Sequence, residues 1–291
     1  MTNQSIAYFR LLNQGLLNSS FKSVHDLVSY MGCVQAQDYY GAKWAIGNRI
    51  KNITDAVVEK DFNEGKILRT HVLRPTWHFV SPEDIRWMLK LTAPKIRMLS
   101  KGLHRQLDIN EAVLKRSKKI IAKVLEGGKH LTREVLKASL AKSKINTDDI
   151  RLGLLLMEAE IDGIICSGKR VGKQFTYALL DERVPPTLLM ERDEAVAELG
   201  KRYFISRGPA TIHDFMWWSG LPLKDAKKSI EANKKVLHHE VIQGQAYWFG
   251  SDIPSKSKKI KSVMVLPSYD EYTVGYRDRS HVIAPTLTDL V

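Results

Sequence analysis

Four short clusters in this sequence carry side chains able to do chemistry. Gln35 and Gln37 stand two apart in Val34-Gln35-Ala36-Gln37-Asp38, and each amide can accept a hydrogen bond through its oxygen and donate through its nitrogen. Asp270 and Glu271 are an adjacent acidic pair of the kind that answers a developing positive charge, or else pairs locally with Arg277 and Arg279. Arg74, Thr76 and His78 alternate along a β-rich run. Period two puts these three on one face and Leu73, Trp77 and Phe79 on the other, core-like one, with Pro75 marking an edge strand or bulge. Lys169, Arg170 and Lys173 crowd a glycine-rich turn from which they can reach a nucleic-acid backbone or groove.

Each cluster also has a plainer reading. Two glutamines can cap or surface a helix, a lone strand histidine is commonly structural, and a charge run is commonly a solvated face. Residues two apart on a straight helix point in nearly opposite directions. Gln35 and Gln37 can therefore share a cleft only at a helix end or in an extended segment, and Asp38-Tyr39-Tyr40-Gly41 is where such an ending would fall. The histidines show no metal-ligand spacing with cysteine or carboxylate partners, so no metal is expected. No GxxxxGK[ST] or GxGxxG stretch occurs, and no cofactor is expected.

The elements that must position these residues follow one order three times. Ile6, Phe9, Leu12 and Leu16 keep helical spacing, Ser23 caps a second stripe through Leu27, Val28 and Met31, and further helical pattern precedes a β-rich run from Ile67 to Val80. Thr132 caps a helix through Leu136 and Leu140, a second helix runs from Asp148 to Glu160, and Gly163 to Leu179 reads as two strands around a basic tip. Thr211 caps the helix of Phe215 and Trp218, Leu223 to Asn233 forms its partner, and Val236 to Phe249 supplies a hairpin turning at Gly244. Helix, turn, helix and hairpin is the order of a winged helix. The expected fold is mainly α with small β-hairpins (α+β), built from tandem winged-helix units. Residues 1–82 form the first, 83–186 the basic helices and the second, 187–254 the third, and 255–291 the start of a C-terminal β segment. Pro185-Pro186 and the Lys-Ser run from Ser255 to Lys261 read as linkers.

The net charge of +13 and a pI near 9.6 favour a polyanionic partner, though a basic enzyme with a solvated surface shares them. From Glu83 to Arg151 seventeen Lys or Arg face eight acids, enough to contact phosphates without reading sequence. Only Cys33 and Cys166 are present, which supports neither a disulfide framework nor a Cys-rich zinc site and fits a reduced cytosol. The N-terminus lacks the pattern of a signal peptide and no apolar run approaches the ~20 residues that span a bilayer, so a soluble, cytoplasmic protein is expected.

Four ordered segments resemble the AlkZ-like family of bacterial DNA glycosylases. Val34-Gln35-Ala36-Gln37-Asp38 with Trp44-Ala45-Ile46 is similar to its glutamine motif, and Leu73 to Val80 to its first hairpin. Gly208-Pro209-Ala210-Thr211 through Leu221 is similar to its third winged helix, and Leu266 to Tyr272 with Gly275 to Ser280 is the most distinctive of the four. The resemblance covers nearly the whole chain. Gln-x-Gln, rather than Gln-x-Asp, is similar to the branch associated with removing bulky or crosslinked N7-alkylated purines. Family members continue beyond the Asp-Arg-Ser motif into a further β segment, whereas this sequence stops at Val291, so it is either truncated or from a short branch.

The resemblance implies a monofunctional DNA glycosylase with Gln35 and Gln37 catalytic. Arg74, Thr76, His78, Asp270 and Glu271 are candidate supporting site residues beside them, and charge at the wing tip puts Lys169, Arg170 and Lys173 on DNA. The implied partner is damaged double-stranded DNA, with no membrane and no protein partner, for a nucleoid-associated cytoplasmic monomer. The other reading is a non-catalytic winged-helix DNA-binding or regulatory protein whose glutamines only maintain structure. No RRM, KH or dsRBD pattern supports an RNA-binding module.

Overall fold

A computed structural model of the chain describes residues 2–148, 150–187, 190–251, 257–258, 260 and 263–283. Its elements begin with α1 (Asn3–Asn13), α2 (Val24–Met31), β1 (Val34–Gln35), α3 (Tyr39–Gly47) and α4 (Asp55–Glu64). There follow β2 (Leu68–Val72), β3 (Thr76–Val80), α5 (Ile85–Gln106), α6 (Glu111–Leu125), β4 (Leu131–Thr132), α7 (Arg133–Lys142) and α8 (Ile150–Ile161). Next are β5 (Ile165–Ser167), β6 (Thr176–Leu179), α9 (Leu180–Arg183), α10 (Arg192–Arg207), α11 (Ile212–Ser219) and α12 (Leu223–Ala232). The last are β7 (Leu237–Ile242), β8 (Gln245–Gly250) and α13 (Glu271–Val274). The expected mainly helical α+β class holds. The chain divides into two compact units, one of Met1–Val58 with Met190–Val291 and one of Glu59–Leu189.

In the first unit, side-chain caps set the helix starts that the sequence marks. Ser23 accepts from the Asp26 N–H, and Thr211 and Asp214 bond reciprocally as a capping box, so each satisfies amides that lack an intrahelical partner. Gly220, at φ 72°, ends α11 in the left-handed region, where no Cβ hinders the turn into α12. Helices α11 and α12 with the β7–β8 hairpin are a helix-turn-helix and wing, closed over Tyr203, Phe204, Phe215 and Trp218, whose rings pack at 5.0 to 6.4 Å. In 263–283 the regular element is the helical turn α13 rather than the expected strand, and the Lys-Ser linker lies largely outside the described residues.

In the second unit, β4, β6 and β5 form an antiparallel sheet in that order, with Leu131↔Tyr177 and Cys166↔Ala178 in register. Together with α7, capped by Thr132, and α8 it makes a winged helix whose tip lies between β5 and β6. Leu136, Leu140, Leu155, Ile121 and Ile165 are fully buried in its core. The β2–β3 hairpin pairs Leu68 with Val80 and Val72 with Thr76. It is tied to β5 where the Arg69 N–H donates to Ser167 Oγ at 2.8 Å.

Helix α10 crosses α12 so closely that a Cβ on Gly200 would lie 2.4 Å from Ser229 Oγ and 2.5 Å from Ser229 Cβ. Gly200→Ala is expected to cost about 1–3 kcal/mol by overpacking, more than the ~1 kcal/mol that alanine gains over glycine inside a helix. Adding Ser229→Gly should recover part of that loss in urea unfolding. A single variant as stable as the parent would mean the two helices part freely.

Candidate active site

The Gln35-Ala36-Gln37 segment leaves β1 at Gln35 and bends at Gln37 and Asp38 into the start of α3. With φ −89° and ψ 107°, Asp38 is the N-cap of α3, its carboxylate accepting the Tyr40 and Gly41 N–H groups at 3.1 Å. Gly41 permits this closeness, since a Cβ there would lie 2.6 Å from Asp38 Oδ2 and 3.2 Å from Pro267 Cβ. The segment thus ends at a helix start, but its two glutamines are presented differently, Gln35 buried and Gln37 exposed. Gln35 is buried, and its Oε1 accepts the Gln37 N–H at 2.7 Å, which locks the two residues into one local unit. Gln37 and Asp38 are exposed, beside exposed Tyr40 and Trp44. The Trp44 indole N–H and the Asn48 amide both donate to the Val265 carbonyl, at 2.8 and 3.0 Å, and so dock the backbone at Val265 on α3.

Asp270 and Glu271 lie directly behind this segment. The Gln35 N–H donates to Glu271 Oε1 at 2.8 Å. The other oxygen, Oε2, accepts from Arg207 Nε and Nη2 at 2.9 and 2.7 Å and from the Trp218 indole at 3.1 Å. Arg207 also donates to the Met31 and Cys33 carbonyls at 2.7 and 2.8 Å and lies 4.4 Å from the Trp218 ring centroid. Burial opposes the Arg207 charge, but the adjoining Glu271 carboxylate holds its pKa above the ordinary range. Arg49 grips Asp270 with both Nη atoms, at 2.7 and 2.8 Å, and extends the network to Gln14 Oε1 at 2.9 Å. From there Gln14 donates to the Tyr276 hydroxyl at 2.8 Å, which donates to the Arg207 carbonyl at 2.7 Å. Arg10 stacks 3.7 Å over Tyr276, donates through Nε to the Pro209 carbonyl at 2.9 Å and lies 3.7 Å from Asp214.

The acidic pair therefore takes neither local arginine. The Arg277 and Asp278 N–H groups instead bond Asp214 Oδ1, at 2.9 and 3.1 Å. Both carboxylates of the pair are almost wholly buried and committed to guanidinium groups, and Glu271 in addition bonds the Gln35 N–H. Arg49, Arg207, Arg10, Gln14 and Trp218 are the residues that the sequence did not single out for the site. The one signal for them is that buried carboxylates need partners, which does not say which arginines supply them.

The remaining site candidates lie in the second unit. Thr76 and His78 share a face of β3, opposite Val72 and Thr70, and His78 is buried with its Nδ1–H bonded to the Thr76 carbonyl at 3.0 Å. Arg74 is in the turn 73–75, not on the strand, because Leu73 at φ 60° and the following Pro75 end the alternation there. At the wing tip Lys169 and Lys173 are exposed. Arg170 turns inward: its N–H donates to Asn63 Oδ1 at 2.8 Å, Nη1 lies 3.3 Å from Glu59 and Nη2 donates to the Lys173 carbonyl at 2.6 Å. The wing base is held by His130 Nδ1, which accepts the Lys169 N–H at 2.8 Å. Burial, then the Arg183 and Lys169 charges, hold the His130 pKa below its ordinary value and keep it an acceptor. Among the described residues no group of three or more His, Cys, Asp or Glu is placed to hold a metal ion, and no helix is long and apolar enough to cross a membrane.

Removing Arg49 would strand the Asp270 carboxylate in the interior. Arg49→Met is expected to lower stability by about 3–5 kcal/mol, and Arg49→Met with Asp270→Asn by less, since no buried charge is then left unpaired. Urea unfolding of the single and double variants checks this. A double variant weaker than the sum of the singles would contradict the pairing.

A family profile described as "DNA glycosylase AlkZ-like" matches residues 28–289. Among solved structures, the chain is similar to one titled "Streptomyces sahachiroi DNA glycosylase AlkZ". The TM-score is 0.82 at 21% identity, over 99% of this chain and 81% of that one. No curated protein sequence matches the chain.

Proposed function

The chain belongs to the AlkZ-like DNA glycosylase family, and on that premise we propose that it hydrolyses the N-glycosidic bond of N7-alkylated purines in duplex DNA, bulky or crosslinked adducts among them. The observation that supports this reading is the Gln35-Ala36-Gln37 segment, bonded through the Gln35 backbone to the buried Glu271–Arg207 pair and carrying Gln37 to the surface.

The chemistry asks for positioning more than for acid strength. A purine alkylated at N7 is already cationic, so as its bond to C1′ breaks the electron pair leaves with the base, which departs neutral. The sugar passes through an oxocarbenium-like state, a water oxygen bonds C1′, and the spare proton goes to solvent. Gln37 is the water-orienting group in this scheme, its amide oxygen accepting a hydrogen bond from the nucleophile. Gln35 and Glu271 are positioning residues: they fix the backbone from which Gln37 projects. The rate gain then comes from preorganised polar groups around the developing charge. No cofactor takes part in this scheme. The protein acts as a cytoplasmic monomer on damaged double-stranded DNA of the nucleoid.

The test is a duplex carrying a single N7-methylguanine, incubated with pure protein and assayed for abasic sites. Gln37→Ala should lower excision by an order of magnitude or more while binding to undamaged duplex changes little, because the hydrogen bond to the water acts mainly in the transition state. Gln37→Asp should keep measurable activity, since a carboxylate can still orient a water. Excision at the parental rate by a Gln35→Ala, Gln37→Ala double variant would remove the motif from the mechanism. A folded protein that binds duplex tightly and excises no alkylated purine would favour the non-catalytic binding reading.

Lys169 and Lys173 supply phosphate contacts from the wing, with Arg170 buttressing it. The Lys169→Ala, Lys173→Ala variant should bind duplex more weakly and lower the slope of log affinity against log salt by about 0.9 for each phosphate no longer neutralised. Arg170→Ala should instead reduce stability. An unchanged slope would place the DNA surface elsewhere.

A further inference from the structure

The second unit holds a small pocket, about 220 Å³, where the β2–β3 hairpin, the centre strand β6 of the wing sheet and the first turn of α7 come together. Its floor is Tyr177, which pairs with Leu131 on one side and Ser167 on the other and is 8% exposed. The Tyr177 hydroxyl is not sealed from solvent, and it takes part in no hydrogen bond among the described residues. Burial pushes its pKa upward, so it keeps its proton and stays a donor at neutral pH. Enclosed donors of this kind ordinarily have an acceptor, and here the protein supplies none.

Three cations surround that floor. Arg69 on β2 is itself 8% exposed, its guanidinium carbon 4.2 Å from the Trp77 ring centroid and 4.7 Å from that of Phe175. Arg133, half-buried at the start of α7, and the exposed Lys173 of the wing line the pocket and take part in no ion pair among the described residues. The first turn of α7 adds the positive end of a helix dipole. Glu134 is the one acid of the lining and is exposed, so three cations face one carboxylate. The rings brace these cations and are already engaged. Trp77 also packs on His71, at 4.4 Å between centroids, and Phe175 also lies 4.8 Å from the Arg170 guanidinium.

The pocket is smaller than the roughly 300 Å³ at which sites for drug-sized ligands begin. A nucleobase would bring no charge to it and would find its rings taken. The two oxygens of a carboxylate lie in one plane and suit a single guanidinium fork, whereas the cations and the hydroxyl here approach from different elements. A tetrahedral phosphate turns its oxygens in different directions, and Arg, Lys and Tyr side chains are all common donors to it. We propose that this pocket seats one phosphodiester of the DNA backbone, one nonbridging oxygen accepting from the Tyr177 hydroxyl and the other meeting Arg133 and Lys173. Arg69 adds a fixed positive charge beside them. The inference rests on duplex DNA as the partner and is independent of base excision and of Gln35 and Gln37.

The experiment measures the affinity of the full chain for an undamaged duplex across a range of salt, in the parent, Tyr177→Phe and Arg133→Gln. In parallel it follows the Arg133 Nε–H resonance by NMR during titration with that duplex, with inorganic phosphate and with oligoglutamate. Tyr177→Phe keeps the ring and removes only the donor. Affinity should fall roughly tenfold, the worth of one hydrogen bond to a charged group, at an unchanged slope of log affinity against log salt. Arg133→Gln should instead lower that slope by about 0.9, one neutralised phosphate fewer, and in the parent the Arg133 resonance should shift saturably with duplex. Parental affinity in both variants, a loss of affinity only in step with a loss of stability to urea, no Arg133 shift with duplex, or tighter saturation by inorganic phosphate or oligoglutamate would each overturn it. A parent that binds no duplex at all would overturn the DNA reading with it, which keeps the two failures apart.

Discussion

The first unit depends on keeping two adjacent carboxylates charged in its interior. Taking one carboxylate out of water costs several kcal/mol even after relaxation, and attraction to a cation offsets this only with good geometry and with the remaining lone pairs satisfied. Asp270 and Glu271 meet both conditions, since each is gripped by two nitrogens of one guanidinium and each accepts further N–H groups. The result is a clasp between segments far apart in sequence. Arg49 comes from the end of α3, Arg207 from the end of α10, Trp218 from α11, and the N–H of Gln35 from the segment between α2 and α3. Removing either arginine leaves a buried charge unpaired rather than a single vacant bond.

Such a clasp suits a reaction that needs little acid or base. When the leaving group is already cationic, most of the catalytic gain available to a protein lies in holding a water and a few dipoles still. A glutamine can do that only if its backbone does not drift. The Gln35 backbone is bonded to a buried ion pair, the Gln35 side chain is folded onto the Gln37 N–H, and Asp38 closes the segment as a helix cap. Three local interactions thus leave the short segment few alternative conformations. The same economy governs the wing, where inward-facing Arg170 and the His130 acceptor hold the loop that carries Lys169 and Lys173 outward.

Short-range structure is legible in the sequence. Ser23, Thr132 and Thr211 cap helices as their positions imply, the wing falls between Gly163 and Leu179, and Gly244 turns the β7–β8 hairpin. The requirement that Gln35 and Gln37 lie at a helix end follows from helical geometry alone, and Asp38 fulfils it. What stayed hidden depends on long-range pairing. The partners of Asp270 and Glu271 lie 221 and 64 residues away, while the nearby Arg277 and Arg279 looked sufficient. Arg74 left its expected strand face because a positive φ at Leu73 makes a turn that period-two reasoning does not anticipate. Arg170 looks like Lys169 and Lys173 in composition, and only the presence of Glu59 and Asn63 beside it turns it inward. Nor does any local pattern join residues 1–58 with 190–291 in one compact unit.

The central claim is that the buried acid positions the glutamine segment for base excision. Glu271→Asp isolates it, because the shorter side chain keeps the charge opposite Arg207 while drawing its oxygen away from the Gln35 N–H. The direct measurement is the single-turnover rate of N7-methylguanine release by this variant, with folding and affinity for undamaged duplex followed alongside. A displacement of this order can cost as much as 10²-fold in rate, and the account predicts at least a tenfold slower release from a folded, duplex-binding protein. Release at the parental rate from that folded variant would contradict it.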